Sequence, residues 1–401
     1  MNLSSGYPFW LIRHGLPHDY PVVTANIKTE VAIIGGGISG ALMAYYLINA
    51  GVSCVLADAR TIGLGSTCAS TSLLQYEIDT PLCELKHKAG LRNAVNAYKL
   101  CDTAIDKLEA IAKTIKFAEF EKEQSLYYAA YKKDVNFIKE EFAIRKKHGF
   151  NVRLLDEKKI QSAYSFSAPA AILSAQGAQT NAYSFTHALL QASIKKGAAI
   201  FDRTLIEKIT HHTKEVLLKT ATGFTIKAEK LVYATGYESV KYIDKKIVDL
   251  NSTYALCSEQ GNADNVPFKS RALLWNTADP YLYLRTTADN RILIGGRDEP
   301  FFNPKQRDKL LQKKTRQLVS DFKNIYPDVE LKPEFSWCGT FGSTKDGLPY
   351  IGSYKKLANS YFALGFGGNG ITFSLIAAEI LTDIITGKKN KFSQLFSFDR
   401  K

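Results

Sequence analysis

The sequence predicts an α/β fold: a parallel sheet flanked by helices, joined to a second, strand-rich region. Three observations predict it. An apolar run at residues 31–34 leads into Gly35-x-Gly37-x-x-Gly40, and a helix-patterned stretch at 41–49 follows at once. A second apolar run, 53–57, ends on Asp58. Residues 250–300 are rich in short strand-like runs, and 281–285 and 291–295 alternate like the arms of a hairpin.

The first unit reads as strand, glycine turn, helix and strand. The run 31–34 is uniformly apolar, as a parallel strand buried on both faces requires. Gly35 permits the tight turn, Gly37 lets a pyrophosphate approach the backbone, and Gly40 lets helix and strand pack closely. The free N–H groups of the helix start are suited to phosphate. Asp58 follows Gly40 by eighteen residues and places a carboxylate where nucleotide ribose hydroxyls should lie. Dinucleotide binding is the expectation.

Further along, 91–116 and 135–147 have the three-and-four spacing of amphipathic helices. Residues 184–196 read as a helix and 197–201 as a strand. Two strand-like runs follow at 215–220 and 224–228, and a third, 231–234, ends on Thr235-Gly236. Helices are expected at 308–325 and 371–386. No internal repeat, low-complexity segment or long linker is present.

Bulk properties exclude several classes. The 401 residues suffice for two domains. No apolar run reaches the roughly 18 residues of a membrane helix. Residues 1–20 lack the basic-then-apolar order of a signal peptide. Six cysteines without CxxC pairing read as reduced thiols, so a soluble cytoplasmic protein without membrane contact is expected. The net charge of +13 is interleaved with acids, as at 132–147, and only the short 388–391 cluster is purely basic. Nucleic-acid binding is therefore not expected. No metal-ligand spacing appears, so no metal is expected.

Two later glycine-rich segments decide between nicotinamide and flavin. One is 63–72, shortly after Asp58; the other is 363–370, directly before the last expected helix. A nicotinamide enzyme has no evident use for the second loop. A flavin enzyme has one, because a helix N-terminus at the pyrimidine edge stabilises the negative charge of reduced flavin.

Five segments resemble the FAD-dependent oxidoreductases of the D-amino-acid oxidase type, which include glycine, sarcosine and γ-glutamylputrescine oxidases. They are 31–40, 58–60 with 65–67, 231–236, 337–352 and 365–371, of which 337–352 is the most specific. The resemblance implies a Rossmann-like FAD domain of the GR2 type built from 1–90, 150–245 and 335–401. An inserted α+β substrate domain, 91–149 and 246–334, would carry an antiparallel sheet.

Carried onto this chain, it implies that Gly35, Gly37, Ile38, Ser39 and Gly40 hold the pyrophosphate and Asp58 the ribose. Ala59, Arg60, Gly65, Ser66 and Thr67 would line the same face, and the Ile206 backbone would meet the adenine. Ala234, Thr235 and Gly236 would close over the cofactor. Gly367, Gly368, Asn369, Gly370 and Ile371 would sit at the pyrimidine end, with Gly339 nearby.

The departures carry information too. Family cations that grip a substrate carboxylate fall on Phe341, Gly368, Thr372 and Ser72. Arg285, Arg297 or Lys345 would have to replace them, Arg297 above all. The family lysine that promotes reaction with O₂ falls on Leu293. The cysteine that tethers flavin falls on Gly339, with Cys338 one residue off, so FAD is expected to be non-covalent. Tyr254, Tyr281, Tyr283, Trp337 and Phe341 are candidate pocket walls. No histidine lies near the motifs, and His211-His212 is distant from them.

The resulting expectation is FAD-dependent oxidation of an amine C–N bond. Hydride would pass to flavin N5 and leave an imine, with O₂ or another acceptor reoxidising the flavin. The substrate would be a small amine whose carboxylate is absent or distant. Alternatives are a flavin-dependent tRNA- or nucleobase-modifying enzyme, marked by a basic stripe at the pocket, or a non-catalytic FAD-binding protein, marked by a plugged pocket.

Overall fold

The computed structural model describes residues 2–261 and 271–400, so 262–270 of the expected strand-rich region lie outside the described residues. Two large sheets face each other across the site. The eight-stranded sheet is centred on Ile27–Ile34, which pairs in parallel with Cys54–Ala57 on one side and Thr225–Tyr233 on the other. Ala199–Phe201 extends it beyond Cys54–Ala57, also in parallel. Its strands are buried on both faces, which is why they read as apolar runs.

The runs at 224–228 and 231–234, expected as two strands, form one. Thr225–Tyr233 pairs along its length with the central strand, from Ile226 opposite Ile27 to Tyr233 opposite Ile34. Its other edge is shared. The first half takes Val216–Thr220 in antiparallel pairing and the second half takes Ser360–Leu364 in parallel. Continuous pairing on one edge thus overrides the break read at Glu229-Lys230.

Helix Ile38–Asn49 packs against Gly370–Ile385 and Ala182–Ile194, and Leu91–Thr114 covers Gly370–Ile385. Ala41, Leu42, Ala44 and Leu47 are fully buried there, with Leu375 and Leu381 across the contact. Helix Gly370–Ile385 is apolar over most of its surface because other elements surround it, with Glu379 and Asp383 at its half-buried edge.

The nine-stranded sheet has Asp249–Ser258, Ile292–Glu299, Tyr283–Thr286 and Pro333–Ser343 at one end. Helix Pro304–Ile325 covers its outer face, burying Leu318 and Phe322 against Tyr254, Leu256, Ile294 and Cys338. Asn303 caps that helix by accepting from the Gln306 N–H at 3.1 Å, with Pro304 in its first turn.

The division expected at residues 150 and 335 does not follow the sheets. Val152–Asp156 and Ala170–Ser174, read as part of the cofactor unit, pair antiparallel and join the nine-stranded sheet through Ser125–Tyr128. Pro333–Ser343 and the N-terminal Ser4–Gly6 belong to the same sheet. Cross-strand pairing decides membership here, and it is not visible in local composition. Among the described residues, no helix is long and apolar enough to cross a membrane.

Candidate active site

A cavity of about 1060 Å³ runs between the two sheets. Its first wall is the glycine turn after Ile27–Ile34. Gly35 has φ +108°, and a Cβ there would lie 2.4 Å from the Ala234 carbonyl oxygen. Gly37 and Ile38 line the cavity, and the Ile38 N–H donates to Thr67 Oγ1 at 3.1 Å. Gly40, expected on the pyrophosphate, does not line the cavity. A Cβ at Gly40 would lie 1.9 Å from the Gly35 carbonyl oxygen, so its role is the close start of the helix under the turn. Ser39 lines the cavity, and its hydroxyl meets Ser374 Oγ at 2.6 Å, tying together the two helices that follow glycine loops.

Asp58 stands at the end of Cys54–Ala57, as expected. Its Oδ2 accepts from the Gly36 N–H at 2.6 Å and its Oδ1 from the Arg60 N–H at 2.7 Å. Burial raises its proton affinity, and these bonds with the Arg60 charge oppose that. Ala59, Arg60, Gly65, Ser66, Thr67, Ile206, Ala234, Thr235 and Gly236 line the same part of the cavity. Arg60 pairs with Glu238 at 2.9 Å.

The loop before Gly370–Ile385 forms the far end, lined by Gly367, Gly368, Asn369, Gly370 and Ile371. Residues 75–79, which sequence reasoning missed, hold that loop. Asn369 Nδ2 donates to the carbonyls of Gln75 at 3.2 Å and Glu77 at 2.7 Å, and Asp79 Oδ2 accepts from the Gly368 N–H at 2.6 Å. Tyr237 donates to the Gly367 carbonyl at 3.2 Å. Glu77 is buried, and its Oε1 accepts from Ser174 Oγ at 2.6 Å and Arg145 Nη1 at 3.2 Å. Burial pushes its proton affinity up, against the pull of Arg145.

The nine-stranded sheet supplies the opposite wall: Thr253, Trp275, Tyr281, Tyr283, Asp298, Gly339 and Phe341. Tyr281, Tyr283 and Phe341 line the cavity. Tyr254 does not. Strand alternation turns it away with its register partner Cys338, beneath helix Pro304–Ile325, and its hydroxyl donates to the Arg307 carbonyl at 3.4 Å. Trp337 also lies off the cavity, donating from Nε1 to the Ala69 carbonyl at 2.8 Å.

No expected substitute for the carboxylate clamp lines the cavity. Arg297 points to Asp321, because Gly296 (φ +135°) and Arg297 (φ +57°) break the alternation. Asp298 consequently faces inward. A glycine pair ahead of an acid is the one signal that could have marked this bulge. Arg285 is consumed by the carbonyls of Thr71 and Thr180 and by Gln179, and Lys345 is exposed. Leu293 is fully buried beside Trp337 and Phe9, off the cavity. The described cations that do line it are Arg60, Lys88 and Lys241, none on the sheet wall or the 367–371 loop.

Residues 30–384 match the FAD dependent oxidoreductase (DAO) family. The chain belongs to that family. Glycine oxidase of Geobacillus kaustophilus (strain HTA426) is 24% identical over 388 residues, which cover 91% of this chain and 95% of that protein. Gamma-glutamylputrescine oxidoreductase of Escherichia coli (strain K12) is 22% identical, over 93% of this chain and 87% of its own. The crystal structure of glycine oxidase from Geobacillus kaustophilus matches the fold with a TM-score of 0.78 at 19% identity, over 94% of this chain and 100% of that one.

The protein is thus an FAD-dependent oxidoreductase, and its residues fit the cofactor. Ser66 Oγ and Asn369 Oδ1 are buried polar atoms in the cavity lining with no hydrogen-bond partner among the described residues. The first lies beside the glycine turn and the second in the 367–371 loop, both at the cavity lining. No cysteine or histidine among the described residues lines the cavity, and Cys338 is turned toward Ser5 and Asp308. Non-covalent FAD is in keeping with this.

Proposed function

We propose that the protein oxidises the C–N bond of a small amine, with FAD held by the glycine turn, Asp58, the 65–67 segment, Ile206 and the 367–371 loop. FAD, when bound, supplies a two-electron acceptor for the hydride of the C–H bond beside the amine nitrogen, and water hydrolyses the resulting imine. Asp58 orients the adenosine end, while the backbone N–H groups at the start of Gly370–Ile385 favour negative charge at the other end. Tyr281, Tyr283, Trp275 and Phe341 exclude water from the reacting face and position the alkyl chain. We read the eight-stranded sheet with its helices as the cofactor unit and the nine-stranded sheet as the substrate unit.

One observation carries the amine reading: the sheet wall presents aromatic rings and a carboxylate but no described cation. A bound carboxylate would lack a partner there, at a cost of about 3–5 kcal/mol. The relatives named for amino-compound oxidation support the reaction class. The open cavity supports turnover over a merely structural FAD, and its carboxylates disfavour a nucleic-acid substrate.

The test is product formation. With an artificial electron acceptor, a primary amine should yield aldehyde and ammonia in equal amounts, matched by acceptor reduced; a secondary amine should yield aldehyde and the smaller amine. Acceptor reduction by a primary amine without ammonia would refute C–N oxidation. Running the assay with O₂ alone distinguishes an oxidase from a dehydrogenase.

A further inference from the structure

We propose that Asp79 and Asp298 form an ammonium subsite that selects a substrate bearing a second cationic group and no carboxylate, an α,ω-diamine or longer polyamine. This rests on the amine-oxidation reading and names its substrate class.

Asp79 sits on the 367–371 loop itself. Beyond its bond from the Gly368 N–H, its Oδ1 would be 2.6 Å from a Cβ at Gly368, and the Tyr281 hydroxyl 3.2 Å from the same point. A Cβ at Gly367 would meet Asp79 Oδ2 at 2.4 Å. The loop therefore has no room for a basic side chain. A carboxylate and a phenol occupy that space instead.

Asp298 reaches the cavity from the opposite wall. Thr253 hydrogen-bonds its carboxylate, yet Oδ1 is buried with no partner among the described residues. The neighbouring cations are engaged elsewhere: Arg297 with Asp321, and Lys314 with Glu299 at 2.6 Å. An isolated buried carboxylate is unfavourable until a cation or proton joins it. Burial, with the charge of Asp79 added and the Thr253 bond and Lys314 opposing, lifts Asp298 to about 6. Tyr281 and Tyr283, which feel both carboxylates, present rings suited to an alkylammonium.

The subsite and the reaction need different nitrogens. The nitrogen that becomes the imine uses its lone pair to form C=N as the adjacent C–H pair leaves for FAD, so it must be unprotonated. A nitrogen held as ammonium between two carboxylates keeps its proton and cannot be the reacting one. It must be a second group on the same substrate, unchanged by the reaction.

Holoenzyme whose FAD has been reduced beforehand binds ligand without turnover, so calorimetry on it reads affinity alone. Short α,ω-diamines should bind about tenfold or more tightly than alkylamines and ω-amino acids of the same chain length. Asp298→Asn should remove most of that preference at unchanged FAD content, and Asp79→Asn should remove most of it in the fraction that retains FAD. An amino acid binding as tightly as the matched diamine overturns the proposal, as does a preference that survives in both variants. If neither variant folds, the ligand series on the unaltered protein still decides. Diamine preference without flavin reduction by any amine would refute amine oxidation and leave the subsite standing. Flavin reduction without diamine preference would refute only the subsite.

Discussion

Both oxygens of Asp58 are engaged at the end of its strand, by the N–H groups of Gly36 and Arg60. Asp58→Ala leaves both donors without their carboxylate, and hydrogen bonds to a charged group contribute about 1.5–3 kcal/mol each. FAD affinity should fall by about ten- to a hundredfold, read by titrating apoprotein with FAD and following fluorescence quenching. Unchanged affinity would mean that Asp58 only closes its own turn. The positions of Gly35 at the turn and Asp58 at the strand end were legible because they follow from backbone geometry within one βαβ unit, whereas Gly40 does not reach the cavity. Tyr254 and Arg297 were misread because facing depends on parity along a strand, and a bulge at Gly296 reverses it. Asp79 carries no local signal: it lies between Leu73–Leu74 and Leu82–Ala89, in a segment whose meaning comes from the loop nearly three hundred residues later.

Helix Val135–Lys147 is tied to the site by Arg145, buried among the rings of Tyr76, Tyr98 and Tyr127 at 5.7 to 5.9 Å. Its Nε donates to Glu141 at 2.6 Å, and Glu141 in turn accepts from the N–H groups of Leu82 and Cys83 at a helix start. Arg145→Met strands two buried carboxylates and should lower unfolding stability by about 3–5 kcal/mol in urea titration. The N-terminal segment is held differently. The Tyr20 hydroxyl meets His187 Nδ1 at 3.0 Å, inside helix Ala182–Ile194. Burial, with His18 nearby, lowers His187 from the usual 6.5 to about 4. Between those values the unfolded chain binds the proton and the folded one does not, so stability falls as pH drops through this window. The loss is about 3 kcal/mol, complete near pH 4. His187→Gln should flatten thermal stability between pH 6.5 and 4; an unchanged slope would assign the acid loss to other groups. The long amphipathic helices were legible from their period, whereas the sheet formed by 152–156 and 170–174 was not, since pairing partners are chosen at the tertiary level.

At the scale of the whole molecule, one sheet presents two loop–helix starts to the cavity and the other presents rings and the Asp298 carboxylate. The family match, residues 30–384, draws strands from both sheets. The most direct measurement is an anaerobic titration of FAD-loaded protein with diamines and alkylamines, following the oxidised-flavin absorbance near about 450 nm. Stepwise loss ending near one equivalent of amine per FAD, reversed by O₂ or an added acceptor, is the expected result. A fully loaded protein whose absorbance no amine diminishes would contradict the account.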